Sequence, residues 1–348
     1  MAAHLVEPRT TRGGASRSRP GTPLTFPSTM AAHGDRNPNR SVHVGAGLPM
    51  AFDDPGRDVP ALAATAERLG YDSVWLADHG LGYRHGEQAG SLDPLAVLAY
   101  LAAVTERVAL GISVILLPLR IPVQLAQTLA TVDQLSGGRV IAGLGLGRND
   151  ATRAAVGAPP TGVVARHEEA VAVLRAAWSP GPLAHRGESW TIDGVDVQPK
   201  PVRGGIPIWF GGNSDAAIDR AARLGDGWMG AGSAPWAAIP QTLESVHAAL
   251  ERHGRDPAGF TIGKRVYYVA ETDRQRALHR MRDEFATVYG RAEMAGTVAI
   301  TGSVDQLLDE VSRLVELGCT FLMLHPVYDV AEQLAVAAEH LLPALRER

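Results

Sequence analysis

The 348-residue sequence lacks features that whole classes of protein require. Cys319 is the single cysteine, so no internal disulfide can form, which fits a reducing cytoplasm. No apolar run approaches the roughly 18 residues of a membrane-spanning helix. The formal net charge is −4, so the chain has no overall attraction for nucleic acid or anionic membranes. We therefore expect a small-molecule partner.

Sequence signatures of several kinds of site are also missing. Neither His-x-His nor His-Glu-x-x-His occurs, so no metal site is predicted. The phosphate-binding Gly-Lys-Ser/Thr signature is absent as well. The glycines Gly143, Gly145 and Gly147 do not form the dinucleotide fingerprint G-x-G-x-x-G, because Arg148 occupies the third glycine position.

The first 40 residues differ in composition from the rest of the chain. Residues 1–40 are rich in Arg, Pro, Gly, Ser and Thr and contain six Arg against one Glu and one Asp. Because this segment has no apolar periodicity, we predict a disordered N-terminal tail. The folded domain is predicted to occupy residues 41–348.

From residue 41 onward, short apolar runs alternate with segments of helical periodicity. The predicted strands are Val42–Leu48, Tyr71–Leu76, Val108–Leu116, Val140–Leu144, Ile206–Phe210, Asp226–Met229, Phe260–Ala270 and Thr320–Leu324. Eight strands alternating with helices, in somewhat more than 250 residues, predict an α/β protein that forms a closed (β/α)8 TIM barrel. Residues 179–205 are too irregular and too long for a simple connection. We predict an insertion there, after the fourth βα unit, with a small hairpin around Glu188–Val197.

A barrel of this kind carries its chemistry at the C-terminal ends of its strands. The polar or glycine residues at those positions are Gly47, Asp78, His79, Ser113, Gly145–Asn149, Gly211–Ser214 and His325. Asp78-His79 is the only adjacent acid–imidazole pair among them, and an imidazole can donate or accept a proton near neutral pH. A histidine that only hydrogen-bonds a barrel loop has the same sequence pattern. His325, before Pro326, either lines the pocket or is a packing histidine at a strand end.

Two glycine-rich stretches, Gly143–Asp150 and Phe210–Asp215, follow predicted strands, and the second opens into an amphipathic helix. Exposed N–H groups and the helix dipole make such a turn an anion site. Two of them favour a phosphorylated cofactor over a free small substrate. Alternatively, the glycines only permit tight turns. Arg148, directly after Gly147, either holds an anion or lies at the surface.

Taken together, these segments resemble the bacterial luciferase-like family of flavin- and deazaflavin-dependent oxidoreductases. The resemblance extends over roughly residues 42–345. The segments that carry it are Tyr71–Trp75 with Asp78-His79, Val108–Val114, Leu117–Arg120, Ala130–Val140, Ile206–Ser214 and Ala221–Trp228.

The resemblance implies a (β/α)8 barrel that binds coenzyme F-420 or, as the alternative, reduced FMN. The segments are more similar to the F-420-using branch. By this resemblance His79 is the catalytic proton donor or acceptor, Asp78 contacts the cofactor, and a non-proline cis peptide bond between Ser113 and Val114 supports the ring. The implied cofactor-binding residues are Gly47, Asp78, Ser113, Val114, Gly145, Gly147, Arg148, Asn149, Gly211, Gly212 and Asn213.

The resemblance favours hydride transfer between F-420 and a small organic substrate. A second function within the family is an FMN-dependent monooxygenase served by a separate flavin reductase, and a third is a catalytically silent flavin-binding barrel. Family members are often homodimers. The sugar-phosphate dehydrogenase branch carries a Glu after the glycine run, where this chain has Arg148, so the resemblance does not extend to that branch's acid–base pair.

Overall fold

The computed structural model describes residues 42–50, 55–80, 91–147 and 150–347, and the statements below refer to these ranges. The predicted tail, at residues 1–40, lies outside them. So do Arg148 and Asn149, whose assignment to anion binding remains a prediction.

A closed ring of eight parallel strands forms the centre of the described structure. The strands are β1 (His43–Gly47), β2 (Ser73–Leu76), β3 (Ala109–Leu116), β4 (Val140–Gly145), β5 (Leu183–Arg186), β6 (Thr191–Val195), β7 (Ile208–Gly211), β8 (Gly227–Gly230), β9 (Thr261–Ala270), β10 (Ala299–Gly302) and β11 (Phe321–Pro326). The ring runs β1-β2-β3-β4-β7-β8-β9-β11, and β11 pairs with β1 to close it. The eight predicted strands are these eight, so the TIM barrel prediction is confirmed.

Helices surround this ring and connect its strands. They are α1 (Pro55–Arg68), α2 (Pro94–Val104), α3 (Pro122–Ser136), α4 (Asp150–Ala155), α5 (Val163–Trp178), α6 (Asp215–Leu224), α7 (Ile239–Arg252), α8 (Arg274–Tyr289), α9 (Ala295–Val298), α10 (Val304–Glu316) and α11 (Val330–Arg346). Local chemistry sets several ends: Asp93 accepts hydrogen bonds from the first turn of α2, and Ser303 and Gln306 form a capping box on α10. No helix of the described ranges is long and apolar enough to cross a bilayer.

Two segments lie outside the barrel ring. Strands β5 and β6 form an antiparallel hairpin within residues 179–205, and Glu169 of α5 holds it by accepting hydrogen bonds from Ser189 N and Trp190 N, both 2.9 Å long. Strand β10 pairs with the outer part of β9. The sequence pattern gives no strand at β10, because the strand is only four residues long and directly follows a short helix.

Aromatic side chains fill the barrel interior. Trp75 stacks on Trp209 with ring centroids 5.0 Å apart, and Phe321 packs against both rings. Glycines on adjacent strands leave the space for them: a Cβ at Gly111 would lie 2.3 Å from the Trp75 ring. The interior is therefore a packed core, and Trp209 is one of its packing residues.

One buried histidine in the barrel wall has no hydrogen-bond partner. His167 of α5 is 1% exposed, neither ring nitrogen is bonded, and its ring packs against Phe210. Burial and, second, the charge of Arg220 lower its pKa to about 4. The imidazole is therefore neutral and its polar atoms are unsatisfied, which costs roughly 1–3 kcal/mol.

Replacing His167 with leucine should therefore stabilise the protein. We expect a gain of roughly 1–2 kcal/mol in the free energy of unfolding at pH 7, because leucine replaces a buried imidazole that has no hydrogen-bond partner. The stability of the parent protein should fall as pH drops from about 6.5 towards 4, since the unfolded histidine takes up a proton that the buried one resists. His167→Leu should show a shallower loss. Urea unfolding at pH 7 and pH 5 measures both effects, with the exposed His340→Leu as control. A destabilised variant with an unchanged acid slope contradicts this account.

Candidate active site

A cavity of about 660 Å³ opens at the C-terminal ends of β1, β2, β9 and β11. Its inner wall includes His79 after β2, Arg265 and Tyr267 from β9, and His325 from β11. Helices α8 and α11 form part of its outer wall. The volume lies within the usual range of small-molecule sites. The structure thus brings His79 and His325, which the sequence places far apart, into one pocket.

His79 is the titratable group best placed for proton transfer. Burial, followed by the charge of Arg265, lowers its pKa to about 4, and Asp78 opposes this shift. The imidazole is consequently neutral at pH 7 and can accept a proton.

Hydrogen bonds from two backbone N–H groups and one arginine hold the carboxylate of Asp78 in place. Its carboxylate accepts hydrogen bonds from Gly80 N at 2.9 Å, Leu116 N at 3.1 Å and Arg120 Nη2 at 3.2 Å. These bonds join the end of β2 to the end of β3 and fix the backbone that carries His79. The cofactor contact assigned to Asp78 remains a prediction, and this buried carboxylate already has three donors.

The third strand contains the expected irregularity. The Ser113–Val114 peptide bond is cis, and the pairing of β3 with β4 shifts register there. A Cβ at Gly145 would lie 2.3 Å from Val114 Cγ2, and one at Gly211 would lie 2.4 Å from Val114 Cγ1. These two glycines, at the ends of β4 and β7, therefore provide the space that Val114 fills. The sequence analysis assigned both glycines to turns and anion binding, and the space that Val114 needs is a further reason for glycine at these positions.

Two further predicted glycines also face neighbouring side chains. A Cβ at Gly47 would lie 2.4 Å from His325 Nδ1, so Gly47 permits the close approach of that imidazole. Gly147 has φ +66°, which favours glycine, and lies against Leu116 in the turn after β4.

The loop after β7 leads directly into a helix N-terminus. Asn213 Oδ1 accepts a hydrogen bond from Ala231 N at 3.0 Å, and Gly212 O accepts one from Trp228 Nε1 at 2.7 Å. Ser214 then caps α6. The loop is fixed to the end of β8 and places Gly212 and Asn213 at a helix start, the kind of position that binds phosphate groups.

Arg265 is the functional residue that the sequence analysis missed. Its Nη2 donates to Ser113 O, the carbonyl of the cis peptide, and its Nη1 donates to Tyr267 Oη at 3.4 Å. Tyr267 Oη in turn bonds Tyr289 Oη. The available signal was the charged pair Lys264-Arg265 inside an otherwise apolar strand, because charged residues are rarely buried without a reason.

The two residues of that pair have separate environments. Lys264 is 1% exposed, and its Nζ donates to Ala231 O at 2.9 Å and to Arg265 O at 2.6 Å. Burial and the Arg265 charge lower its pKa to about 7. Lys264 is not among the residues that line the cavity, whereas Arg265 is. Among the described residues, no three His, Cys, Asp or Glu side chains are arranged to hold a metal ion.

Comparisons with known proteins agree with this geometry. A sequence profile described as luciferase-like monooxygenase matches residues 36–320. The F-420-dependent glucose-6-phosphate dehydrogenase of Nakamurella multipartita is 28% identical over 321 residues, which cover 82% of this chain and 91% of that protein.

Solved structures show the same fold. An F-420-dependent secondary alcohol dehydrogenase, in complex with an F-420–acetone adduct, superposes with a TM-score of 0.76 at 22% identity, over 88% of this chain and 99% of that one. A monooxygenase from Streptomyces bottropensis superposes with a TM-score of 0.72 at 23% identity, over 87% of this chain and 99% of that one. At these identities the likeness establishes the barrel architecture.

Proposed function

This chain belongs to the luciferase-like monooxygenase family, and from that premise we propose that it transfers a hydride between coenzyme F-420 and a carbon atom of a small organic substrate. One observation carries the proposal. The cavity brings His79 together with Arg265, which bonds the cis peptide carbonyl at Ser113. The names of relatives that cover most of the chain, F-420-dependent dehydrogenases, support the choice of cofactor.

The residues at this end of the barrel fit a cofactor with a flat ring and a phosphate-bearing tail. Val114, backed by Gly145 and Gly211, would support the ring. Gly212 and Asn213 at the start of α6 would hold an anionic group, and so would Gly147, Arg148 and Asn149 by the sequence prediction. When bound, F-420 supplies a carbon that exchanges hydride and does not activate oxygen.

Proton transfer is assigned to a side chain of the protein, His79. In the oxidation of a substrate alcohol, the neutral imidazole of His79 would accept the proton of the hydroxyl group. The hydride on the carbon that carries this hydroxyl would pass to oxidised F-420. Asp78, through Leu116 N and Arg120, keeps the loop that carries His79 in place. Tyr267 and Phe285, whose rings meet edge to face with centroids 5.3 Å apart, form an aromatic part of the cavity wall.

The neutral state of His79 predicts the pH profile. For substrate oxidation, kcat/KM should stay level from about pH 8 to pH 5 and fall as pH passes through about 4, where the imidazole becomes protonated. Initial rates in a buffer series measure this profile. A rate that instead declines as pH rises from 4 to 7 requires a protonated His79 and contradicts its role as a base.

The contact between Val114 and Gly145 gives a second test. In Gly145→Ala the added methyl would overlap Val114 Cγ2, so we expect a loss of roughly 1–3 kcal/mol in stability and weaker F-420 binding. In the double variant with Val114→Ala the 2.3 Å overlap is removed and the Val114 Cβ contact at 3.1 Å remains, so stability should recover in part while F-420 binding stays weak. Denaturant unfolding and cofactor titration separate the two effects. A double variant no more stable than Gly145→Ala contradicts the proposed contact.

The FMN-dependent monooxygenase is the second candidate, favoured by the fold it shares with the Streptomyces enzyme. It would need a separate flavin reductase. The silent flavin-binding barrel is disfavoured by a neutral histidine placed in the cavity. Side-by-side titration of the apoprotein with F-420 and FMN tests the proposal.

A homodimer, expected from the family, is part of the proposal and is checked by light scattering.

A further inference from the structure

We propose that the substrate carries a carboxylate and that Arg265 binds it within the cavity. The proposal rests on the proposed function, because it names the substrate class of the same cavity. It depends on unsatisfied polar atoms, on the charge balance of the inner wall and on the shape of the remaining lining.

Residues that line this cavity carry several buried polar atoms without a hydrogen-bond partner. In the described ranges, seven buried side-chain nitrogen or oxygen atoms lack a hydrogen-bond partner. Three of the seven, Arg265 Nε, His325 Nδ1 and Tyr328 Oη, belong to residues that line the cavity. Buried polar atoms are normally bonded, so such a cluster indicates a polar ligand. The Nε–H of arginine can only donate, and the group it meets must therefore be an acceptor.

The charge at the inner wall is uncompensated. No carboxylate of the described residues lies within 4.0 Å of the Arg265 guanidinium, whose polar partners are neutral groups: Ser113 O, Tyr267 Oη and the Tyr289 hydroxyl. His79 and His325 flank it, and burial lowers the pKa of both imidazoles, so neither adds or removes charge at pH 7. A buried cation without a counter-charge is costly, and an anionic ligand group would remove that cost.

The other charged residues of the lining do not supply this counter-charge. Arg280 forms a two-pronged ion pair with Asp329, with N···O distances of 2.7 and 2.9 Å, and lies over the Tyr328 ring. Glu284 and Asp58 also line the cavity, and neither carboxylate lies within 4.0 Å of the Arg265 guanidinium. Arg265 is therefore the cation of the cavity lining that has no carboxylate partner.

A single unpaired cation favours a carboxylate over a phosphate. Nη1 and Nη2 of Arg265 each donate a hydrogen bond within the protein, and a guanidinium carries five N–H groups, so donors remain for a ligand. A phosphate dianion is usually matched by more than one cation or by a bidentate fork. Farther out, Leu62, Phe285 and Val327 line the cavity and suit an apolar or aromatic body.

Benzoate and benzamide provide a matched pair of probes, because they share size and shape and differ in charge. Ligand-observed NMR titration of the apoprotein should give a dissociation constant roughly 10- to 150-fold lower for benzoate, the range expected for one charge-assisted hydrogen bond. Arg265→Gln should abolish this preference and Arg265→Lys should retain part of it. Arg280→Gln, which removes the paired arginine of the same cavity, should leave it intact. Circular dichroism and melting temperature check that each variant folds.

Several outcomes would overturn the proposal. Equal affinities of benzoate and benzamide for the parent protein would contradict an anion site in the cavity. Tighter binding of phenyl phosphate than of benzoate would assign the site to a phosphate. Competition between benzoate and F-420 would place Arg265 in the cofactor site. Failure of the proposed function can be distinguished from failure of the carboxylate site. If F-420 does not bind a preparation in which benzoate still binds the parent protein more tightly than Arg265→Gln, the cofactor assignment is wrong and the carboxylate site stands.

Discussion

Replacing His79 with alanine should lower kcat by roughly 10²–10⁴-fold, the usual contribution of a positioned general base or acid. The affinity for F-420 should change much less, because His79 acts on the substrate proton. The expected loss is large because the imidazole lies in the cavity in its neutral form, ready to accept a proton. Single-turnover kinetics with the natural substrate, and cofactor titration, separate the two quantities.

His79→Gln is the stricter variant, since glutamine keeps a hydrogen-bonding side chain but cannot carry the proton. It should be as slow as His79→Ala. The exposed His340→Ala serves as the control and should turn over normally. Near-normal turnover of either His79 variant would reject the catalytic role and favour a histidine that only hydrogen-bonds a barrel loop.

Arg139→Met should be the most destabilising single substitution proposed here. The guanidinium is 3% exposed and donates five hydrogen bonds at the base of the barrel: to Ser136 O, Thr105 Oγ1, Thr105 O, Val108 O and Ala102 O, over 2.8 to 3.1 Å. All five N–H donors of the side chain are thereby used. Methionine leaves four buried carbonyls without this donor.

We expect Arg139→Met to cost about 3–5 kcal/mol in the free energy of unfolding, since each abandoned buried group costs roughly 1–3 kcal/mol. The melting temperature should fall by roughly 10 °C. Arg107→Met, at an exposed position of the α2–β3 connection that Arg139 contacts, should stay within about 0.5 kcal/mol of the parent protein. Equal unfolding curves for the two variants would show that the Arg139 bonds contribute no stability.

The sequence predicted the barrel because its period is regular. Each ring strand is a short apolar run bounded by a helix and a turn, and even the four-residue β8 carries the signal in Trp228 and Met229. Strand β10 was missed because its two alternate buried residues, Ile300 and Gly302, give too little periodicity. The residues at the strand ends followed from topology alone, since parallel strands all end at the same rim.

The chemistry of the site was less predictable, because it depends on contacts between distant strands. Nothing local indicates that Gly145 and Gly211 make room for Val114, or that Gly47 makes room for His325. Arg265, a charged residue of the cavity lining, lies in a strand whose other residues are mostly apolar. The glycine contacts join residues 31 to 278 positions apart in the sequence, where no local pattern can report them.

The central claim is that F-420 is the cofactor, and titration of the apoprotein with F-420 and FMN side by side tests it most directly. Quenching of cofactor and tryptophan fluorescence gives both dissociation constants under identical conditions. The account predicts clearly tighter binding of F-420, and oxygen uptake on adding reduced FMN that is no faster than the spontaneous reoxidation seen without the protein. Equal or reversed affinities, together with oxygen uptake above that protein-free rate, would contradict it and identify the chain as a monooxygenase.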